Sequence, residues 1–233
     1  MTPAQFNREA LERGELTDEH LVELVRSFQE SRGLLPDGKA GPITRMTLDQ
    51  LVRQPAQLRV VNGWLQGPGV EVIPAHASWF SGPMPRGPLA IMAHYTATNP
   101  GTARSLAERR IRRRWPLARN ASWHVTIATD GTVYQMVPLN RRARHCARGM
   151  VAGLSVNQTT IGIELEGRGK EFPDAQVAAA RRVWYSIVHA YGIPQELAML
   201  QHSEFDQGRR QDPGELWMTT HAETVIEHAY VGL

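Results

Sequence analysis

The chain has a single cysteine, Cys146, and no apolar run of the ~18 residues that a membrane-spanning helix needs. One cysteine excludes an internal disulfide and fits synthesis in a reducing compartment. The N-terminus, Met1-Thr-Pro-Ala-Gln-Phe-Asn-Arg-Glu9, has no basic segment followed by an apolar stretch. It therefore reads as lacking a secretory signal, and the chain is expected to be made in the cytoplasm. Internal repeats and low-complexity tracts are also absent. What remains is an ordinary globular composition, 42% hydrophobic and 21% charged over 233 residues. That length allows one large domain, or a small module followed by a larger one.

Charge is unevenly placed. Residues 1–54 carry seven Lys/Arg against nine Asp/Glu, so within a chain of net +3 the remainder carries +5. This surplus suits an anionic partner, cell-wall polymer or nucleic acid, without choosing between them. The densest basic stretch runs from Arg104 through Arg109, Arg110, Arg112, Arg113 and Arg114 to Arg119, opposed only by Glu108. A solvated helix face is the first reading, and attraction to an anionic wall or outer membrane is the second. A nucleic-acid reader would want aromatic platforms or a known motif, and Trp115 alone is thin support, so no nucleic-acid partner is expected.

Residues 1–54 read as a three-helix bundle. Thr17 is an N-cap with Asp18 and Glu19 in the first turn, and Leu21, Leu24, Val25 and Phe28 form an apolar stripe at helical spacing. Gly33 can end that helix, and Pro36-Asp37-Gly38 is a turn. Pro42 opens a further helix carrying Ile43, Met46, Leu48 and Leu51, and a short helix near Pro3–Leu11 completes the bundle. The series Leu24-Val25…Phe28-Gln29, Leu34, Asp37-Gly38…Gly41-Pro42-Ile43-Thr44 and Leu48 resembles the peptidoglycan-binding module of bacterial and phage wall hydrolases.

Residues 55–88, rich in Pro and Gly, read as a connector and entry loop. Residues 89–233 alternate strands and helices. Strands are expected at Leu89–His94, Ser122–Ala128, Thr132–Val137, Thr160–Glu166 and Leu197–Gln201, with Asp130-Gly131 marking a hairpin. Helices are expected at Ala103–Arg114, Asp174–Tyr191 and Thr219–Tyr230. The fold class is α/β, a mixed central sheet flanked by helices and preceded by the small bundle.

His202 and Asp212 lie ten residues apart across a loop rich in Gly and Arg. Imidazole nitrogen and carboxylate oxygen are good zinc ligands, but zinc wants at least three from the protein. His94, closing an apolar strand, is a third candidate. In Thr160-Ile-Gly-Ile-Glu164-Leu-Glu166 the alternation sets Gly162, Glu164 and Glu166 on one face, where an acid can act as general base in a metal-assisted hydrolysis. At the first strand of the hairpin, either Trp123 or His124 can face a cleft, but not both fully.

Taken in order, Ala93-His94-Tyr95, Ser122-Trp123-His124 with Asp130 to Gln135, Asn157 with Ile161 to Gly167, and His202 with Arg210-Gln-Asp212-Pro-Gly resemble the type 2 N-acetylmuramoyl-L-alanine amidases. These share their fold with the peptidoglycan recognition proteins. The resemblance implies His94, His202 and Asp212 as zinc ligands, Glu164 as the catalytic carboxylate, and Arg210 where the family commonly has an oxyanion-stabilising lysine. It also implies substrate contacts from Tyr95, Trp123, His124, His145 and Asn157. The function it implies is a zinc-dependent cleavage of the amide between N-acetylmuramic acid and L-alanine of peptidoglycan, and a monomer is expected. A phage endolysin released by a separate pore is the favoured setting, and a non-catalytic recognition protein of the same fold is the alternative.

Overall fold

The computed structural model describes residues 17–45, 58–112 and 121–230, and the chain divides into two compact units, Met1–Pro55 and Ala56–Leu233. In the first, helix α1 (Asp18–Ser31) starts at Thr17, whose hydroxyl accepts the His20 N–H at 3.2 Å while the His20 ring accepts the Thr17 N–H. This reciprocal cap satisfies two amides that helix geometry leaves open. Gln29, buried near the end of α1, organises the loop that follows. Its amide nitrogen donates to Asp37 Oδ1, the Lys39 carbonyl and Thr44 Oγ1 at 2.8–3.1 Å, and its oxygen accepts the Gly38 N–H at 2.9 Å. A helical turn follows at 42–45. The expected helix near Pro3–Leu11, and Met46, Leu48 and Leu51, lie outside the described residues.

The second unit begins with strands β1 (Arg59–Val61), β2 (Trp64–Gln66), β3 (Val70–Val72) and β4 (Ser81–Pro83). The described part of the 55–88 stretch, residues 58–88, is thus more than a connector and entry loop. Val70–Val72 forms the edge of the central sheet, and Leu58, Leu65 and Met84 enter the core. Buried Gln135 shows why this Pro- and Gly-rich stretch is structured. Its side chain accepts the Leu65 N–H at 2.6 Å and donates to the Gly63 carbonyl at 2.8 Å, pinning the β1–β2 hairpin to the sheet.

Then come β5 (Ala90–Tyr95), α2 (Ala103–Glu108), β6 (Val125–Ile127), β7 (Val133–Gln135), β8 (Arg141–Arg142), β9 (Met150–Val151), β10 (Leu154–Ser155), β11 (Thr160–Leu165), α3 (Asp174–Tyr191), β12 (Leu200–Gln201), α4 (His202–Phe205), α5 (Glu215–Thr220) and α6 (Ala222–Ala229). The six-stranded sheet runs β12-β5-β11-β6-β7-β3. It is parallel except for the β6–β7 hairpin at Asp130-Gly131, which makes it the mixed sheet expected. Helix α3 keeps its anticipated span and stops at Gly192, which takes the left-handed conformation (φ 63°) that glycine adopts without a Cβ penalty.

Alternation decides which face does what. Ile91, Ala93, Ile161, Ile163 and Leu165 point into a core with Val183, Trp184, Ile187 and Val188 of α3 and Val225 of α6. Ala90 and Met92 point the other way, packing with Cys146, Val156 and Leu200. Helix α2 ends at Glu108, short of the expected Arg114, and the closing helix divides into α5 and α6 at His221. No helix among the described residues is long and apolar enough to cross a membrane.

Candidate metal centre

Three parallel strands end at one place. His94 is the penultimate residue of β5, Glu164 is its register partner on β11, and His202 directly follows β12. The carboxyl ends of parallel strands are where an open α/β sheet leaves a crevice. Since Ala93, Ile163 and Leu165 fill the helix-covered core, alternation turns His94 and Glu164 to the opposite face. Asp212 arrives on a loop shaped by buried Asp206. The Asp206 carboxylate holds Arg209 Nη2 at 2.6 Å, its carbonyl accepts the Arg210 N–H at 3.1 Å, and the Asp212 carbonyl accepts the Ser203 N–H at 3.2 Å.

The three side chains converge. Asp212 Oδ2 lies 2.8 Å from His94 Nδ1 and 2.9 Å from His202 Nδ1, and the two nitrogens are 3.0 Å apart. All three residues are buried. Burial pushes the His94 imidazole down, against the pull of Asp212. Burial also opposes charge on His202, but the hydrogen bond to Asp212 and the neighbouring Cys146 thiol overcome it and lift His202 to about 9. The Asp212 carboxyl, which burial alone would raise, is held below the ordinary carboxylate range chiefly by the hydrogen bond from His202, with His94 beside it. Left to itself, the carboxylate thus gathers a proton onto His202. Two nitrogens, one oxygen and a demand for positive charge fit zinc.

Hydrogen bonding behind His94 prepares it for that task. His145 Nε2 faces the Thr160 carbonyl at 3.2 Å, to which it donates, and burial holds its ring neutral. Its Nδ1 is then an acceptor, 3.0 Å from His94 Nε2. His94 consequently carries its proton on Nε2 and turns the Nδ1 lone pair to the centre. Gly162 makes room for this chain, since a Cβ there would come within 2.5 Å of His145 Cγ.

The centre floors a cleft of about 530 Å³ whose lining includes Tyr95, Trp123, His145, Glu164 and Arg210. Glu164 is buried with Oε2 unpartnered, and burial, reinforced by the Asp212 charge, raises it to about 8. Glu166 is different. Its carboxylate accepts the Thr102, Ala103 and Thr129 N–H groups at 2.5–3.0 Å, tying the start of α2 and the β6–β7 turn to β11.

Other expected contacts separate in the same way. The chain bends at His124, so Trp123 lines the cleft while His124 turns inward. His124 Nδ1 accepts the Gly162 N–H at 2.9 Å, its Nε2 donates to the Arg141 carbonyl at 2.8 Å, and burial lowers it to about 4. Asn157 does not line the cleft either. Its Oδ1 accepts the His145 and Cys146 N–H groups, both at 3.1 Å, and holds their loop in place. Both residues thus support the site from behind, and neither is among the residues that line the cleft.

Residues 84–215, more than half of the chain, match the N-acetylmuramoyl-L-alanine amidase family. The chain belongs to this family. Among curated proteins it is similar to the 1,6-anhydro-N-acetylmuramyl-L-alanine amidase AmpD of Escherichia coli K12, 33% identical over 97 residues (40% of this chain, 51% of that protein). The AmpD of Enterobacter cloacae is 34% identical over 100 residues (41% and 53%). The chain spans about half the length of the curated relatives it matches. Among solved structures, a crystal structure of AmpD superposes with a TM-score of 0.54 at 21% identity, covering 71% of this chain and 98% of that one. PlyL superposes with a TM-score of 0.52 at 21% identity, covering 70% and 97%. These two show a shared fold.

Within this amidase-family fold, sequence reasoning missed Arg110, which was read as part of a solvated arginine face. It is buried, with its guanidinium carbon 3.6 Å from the centre of the Trp123 ring. Nothing in a run of arginines marks which one turns inward. Arg104 does stay on the surface, paired with Glu71 and Glu108. Residues 113–119 of the run lie outside the described residues.

Proposed function

We propose that the protein is a zinc-dependent N-acetylmuramoyl-L-alanine amidase that acts on peptidoglycan, cleaving the amide between the lactyl group of N-acetylmuramic acid and L-alanine. The observation that carries this reading is the convergence of His94 Nδ1, His202 Nδ1 and Asp212 Oδ2 within 3.0 Å of one another, in one cleft with an unpartnered Glu164 carboxyl. His94, His202 and Asp212 would hold the zinc, which when bound supplies Lewis acidity to polarise the scissile carbonyl and acidify a water. Glu164 accepts the proton of the attacking water at its free oxygen and passes it to the departing amine, so that the L-alanine nitrogen leaves neutral. Arg210, on the rim of the cleft, presents its guanidinium to the oxyanion that forms. Arginine offers a planar fork of donors where lysine offers a point charge. Tyr95 and Trp123 wall the cleft and orient the substrate. Residues 1–54 bind the wall polymer and keep the enzyme on it, and the biological role is wall lysis after release from the cytoplasm.

Digestion of purified peptidoglycan with and without a chelator, with products identified by mass, tests the reading. Stem peptides with free L-alanine amino termini are expected, abolished by chelation and restored by zinc. New reducing sugar ends would show glycan cleavage and overturn the reaction. Binding without any new ends would mark a recognition protein.

A further inference from the structure

Just past α2, Arg110 folds its side chain inward and is 7% exposed. Its guanidinium carbon sits 3.6 Å from the centre of the Trp123 ring and 5.4 Å from that of Trp79. Nη1 donates to the Leu106 carbonyl and Nη2 to the Ala121 carbonyl at 3.2 Å, while the Arg110 carbonyl accepts the His76 N–H at 2.8 Å. Segments 76–79, 106–110 and 121–123 therefore meet at one cation. Nε is buried with no partner, and among the described residues no carboxylate lies within ion-pair distance of this guanidinium. A buried charge without a counter-ion is costly, so this one is expected to have a use. Burial lowers it only to about 10, so it stays charged at neutral pH, and the carboxylate that acts on it is Glu164 of the cleft.

We propose that Arg110 is a positioning residue of the cleft: stacked on Trp123, its guanidinium fixes the indole as a rigid wall against which the muramyl-peptide substrate packs. Cation–π attraction is strongest for a desolvated guanidinium over an indole, and the flat fork can stack while both terminal nitrogens donate to carbonyls. The far end of the ring is held as well, since Trp123 Nε1 donates to Thr126 Oγ1 at 2.6 Å. An indole pinned in this way loses no freedom when a ligand arrives. The substrate half of the inference rests on the peptidoglycan reading above, whereas the fixing of Trp123 does not.

The test uses the full chain with Arg110→Met, which keeps the stem and loses the charge, Arg110→Lys, Trp123→Phe and the double variant Arg110→Met/Trp123→Phe. The indole N–H resonance of Trp123, assigned by its absence in Trp123→Phe, is expected to shift in Arg110→Met. Its exchange with solvent should quicken at least about tenfold, while those of buried Trp184 and Trp217 stay put. With turnover stopped by a chelator, calorimetric titration with a soluble muramyl peptide should show about tenfold weaker binding for Arg110→Met and less than about threefold for Arg110→Lys. The double variant should bind no more weakly than the weaker single one, because the two residues act as a unit. An unmoved Trp123 resonance, additive losses, or equal disturbance of Trp184 and Trp217 would each overturn the proposal. If the wild type binds no muramyl peptide yet Arg110→Met still loosens Trp123, the positioning stands and the peptidoglycan reading falls.

Discussion

Glu164 and Glu166 are two positions apart, on the face that alternation assigns to both, yet they do opposite things. Glu166 spends its oxygens on the amides of three neighbouring residues, and those bonds outweigh burial to keep it below the ordinary carboxylate range. Glu164 keeps one oxygen unpartnered and is raised to about 8. A proton acceptor must have a free lone pair and a pKa near the working pH, which selects Glu164. Glu164→Gln, which keeps the shape, should retain metal within about twofold and lose on the order of 10³ in turnover. Metal analysis beside a wall-digestion assay checks this, and loss of metal would make Glu164 a ligand. The candidate metal ligands set a pH dependence. His202 is raised to about 9, so at neutral pH its proton must leave before the nitrogen can ligate. Apparent zinc affinity should climb by about tenfold per pH unit for each proton released and flatten above about pH 9, as seen in competition titrations across pH. Without metal, the stability that the raised His202 contributes is fully present below its unfolded value near 6.5 and fades as pH rises through about 9. An affinity that ignores pH would place a neutral imidazole at 202.

Between elements, polar side chains do the joining that the apolar pattern does not reveal. Sequence periodicity was enough for β5, β11 and α3, because each buries a face whose repeat is 2 or 3.6 residues. It failed for residues 55–88, where β1 to β4 are three residues each, too short to show a period, and are punctuated by Pro and Gly. Their anchors lie far away in sequence. Gln135 reaches the Leu65 amide across seventy positions, and Ser186 Oγ donates to the Leu58 carbonyl at 2.8 Å. The site was legible where its residues are chemically distinctive, as with His94, Glu164, His202 and Asp212. It was not legible at His124 and Asn157, because a bend in one strand and an amide-to-backbone clamp decide whether a polar side chain faces the cleft or braces it. Replacing Gln135 by Leu should leave the Leu65 amide buried and unpaired, while the Gly63 carbonyl keeps the Leu139 N–H, costing about 1–3 kcal/mol. Chemical denaturation measures it, and hydrogen exchange should place the loosening at residues 59–66. A change under ~0.5 kcal/mol would mean that water or a backbone shift repairs that amide.

For the whole molecule, the division at Met1–Pro55 and Ala56–Leu233 lets the two proposed tasks be tested separately. Every residue of the candidate centre belongs to the second unit, as does the positive surplus. The first has a negative balance and a loop held by Gln29 beside exposed Leu35 and Ile43. Such a unit does not attract an anionic polymer by net charge, so the wall binding proposed for it would come from shape and short-range contacts, which salt screens weakly. The second unit, at about +5, should add a long-range attraction that salt weakens strongly. Removing residues 1–54 should therefore lower retention on purified walls several-fold and make what remains more salt-sensitive, while kcat on a soluble muramyl peptide stays within about twofold. Pelleting assays at low and high salt, beside the soluble assay, distinguish these effects. If retention is unchanged, residues 1–54 are not the wall-binding module. If turnover on the soluble fragment collapses, the first unit takes part in the chemistry or in the folding of the second.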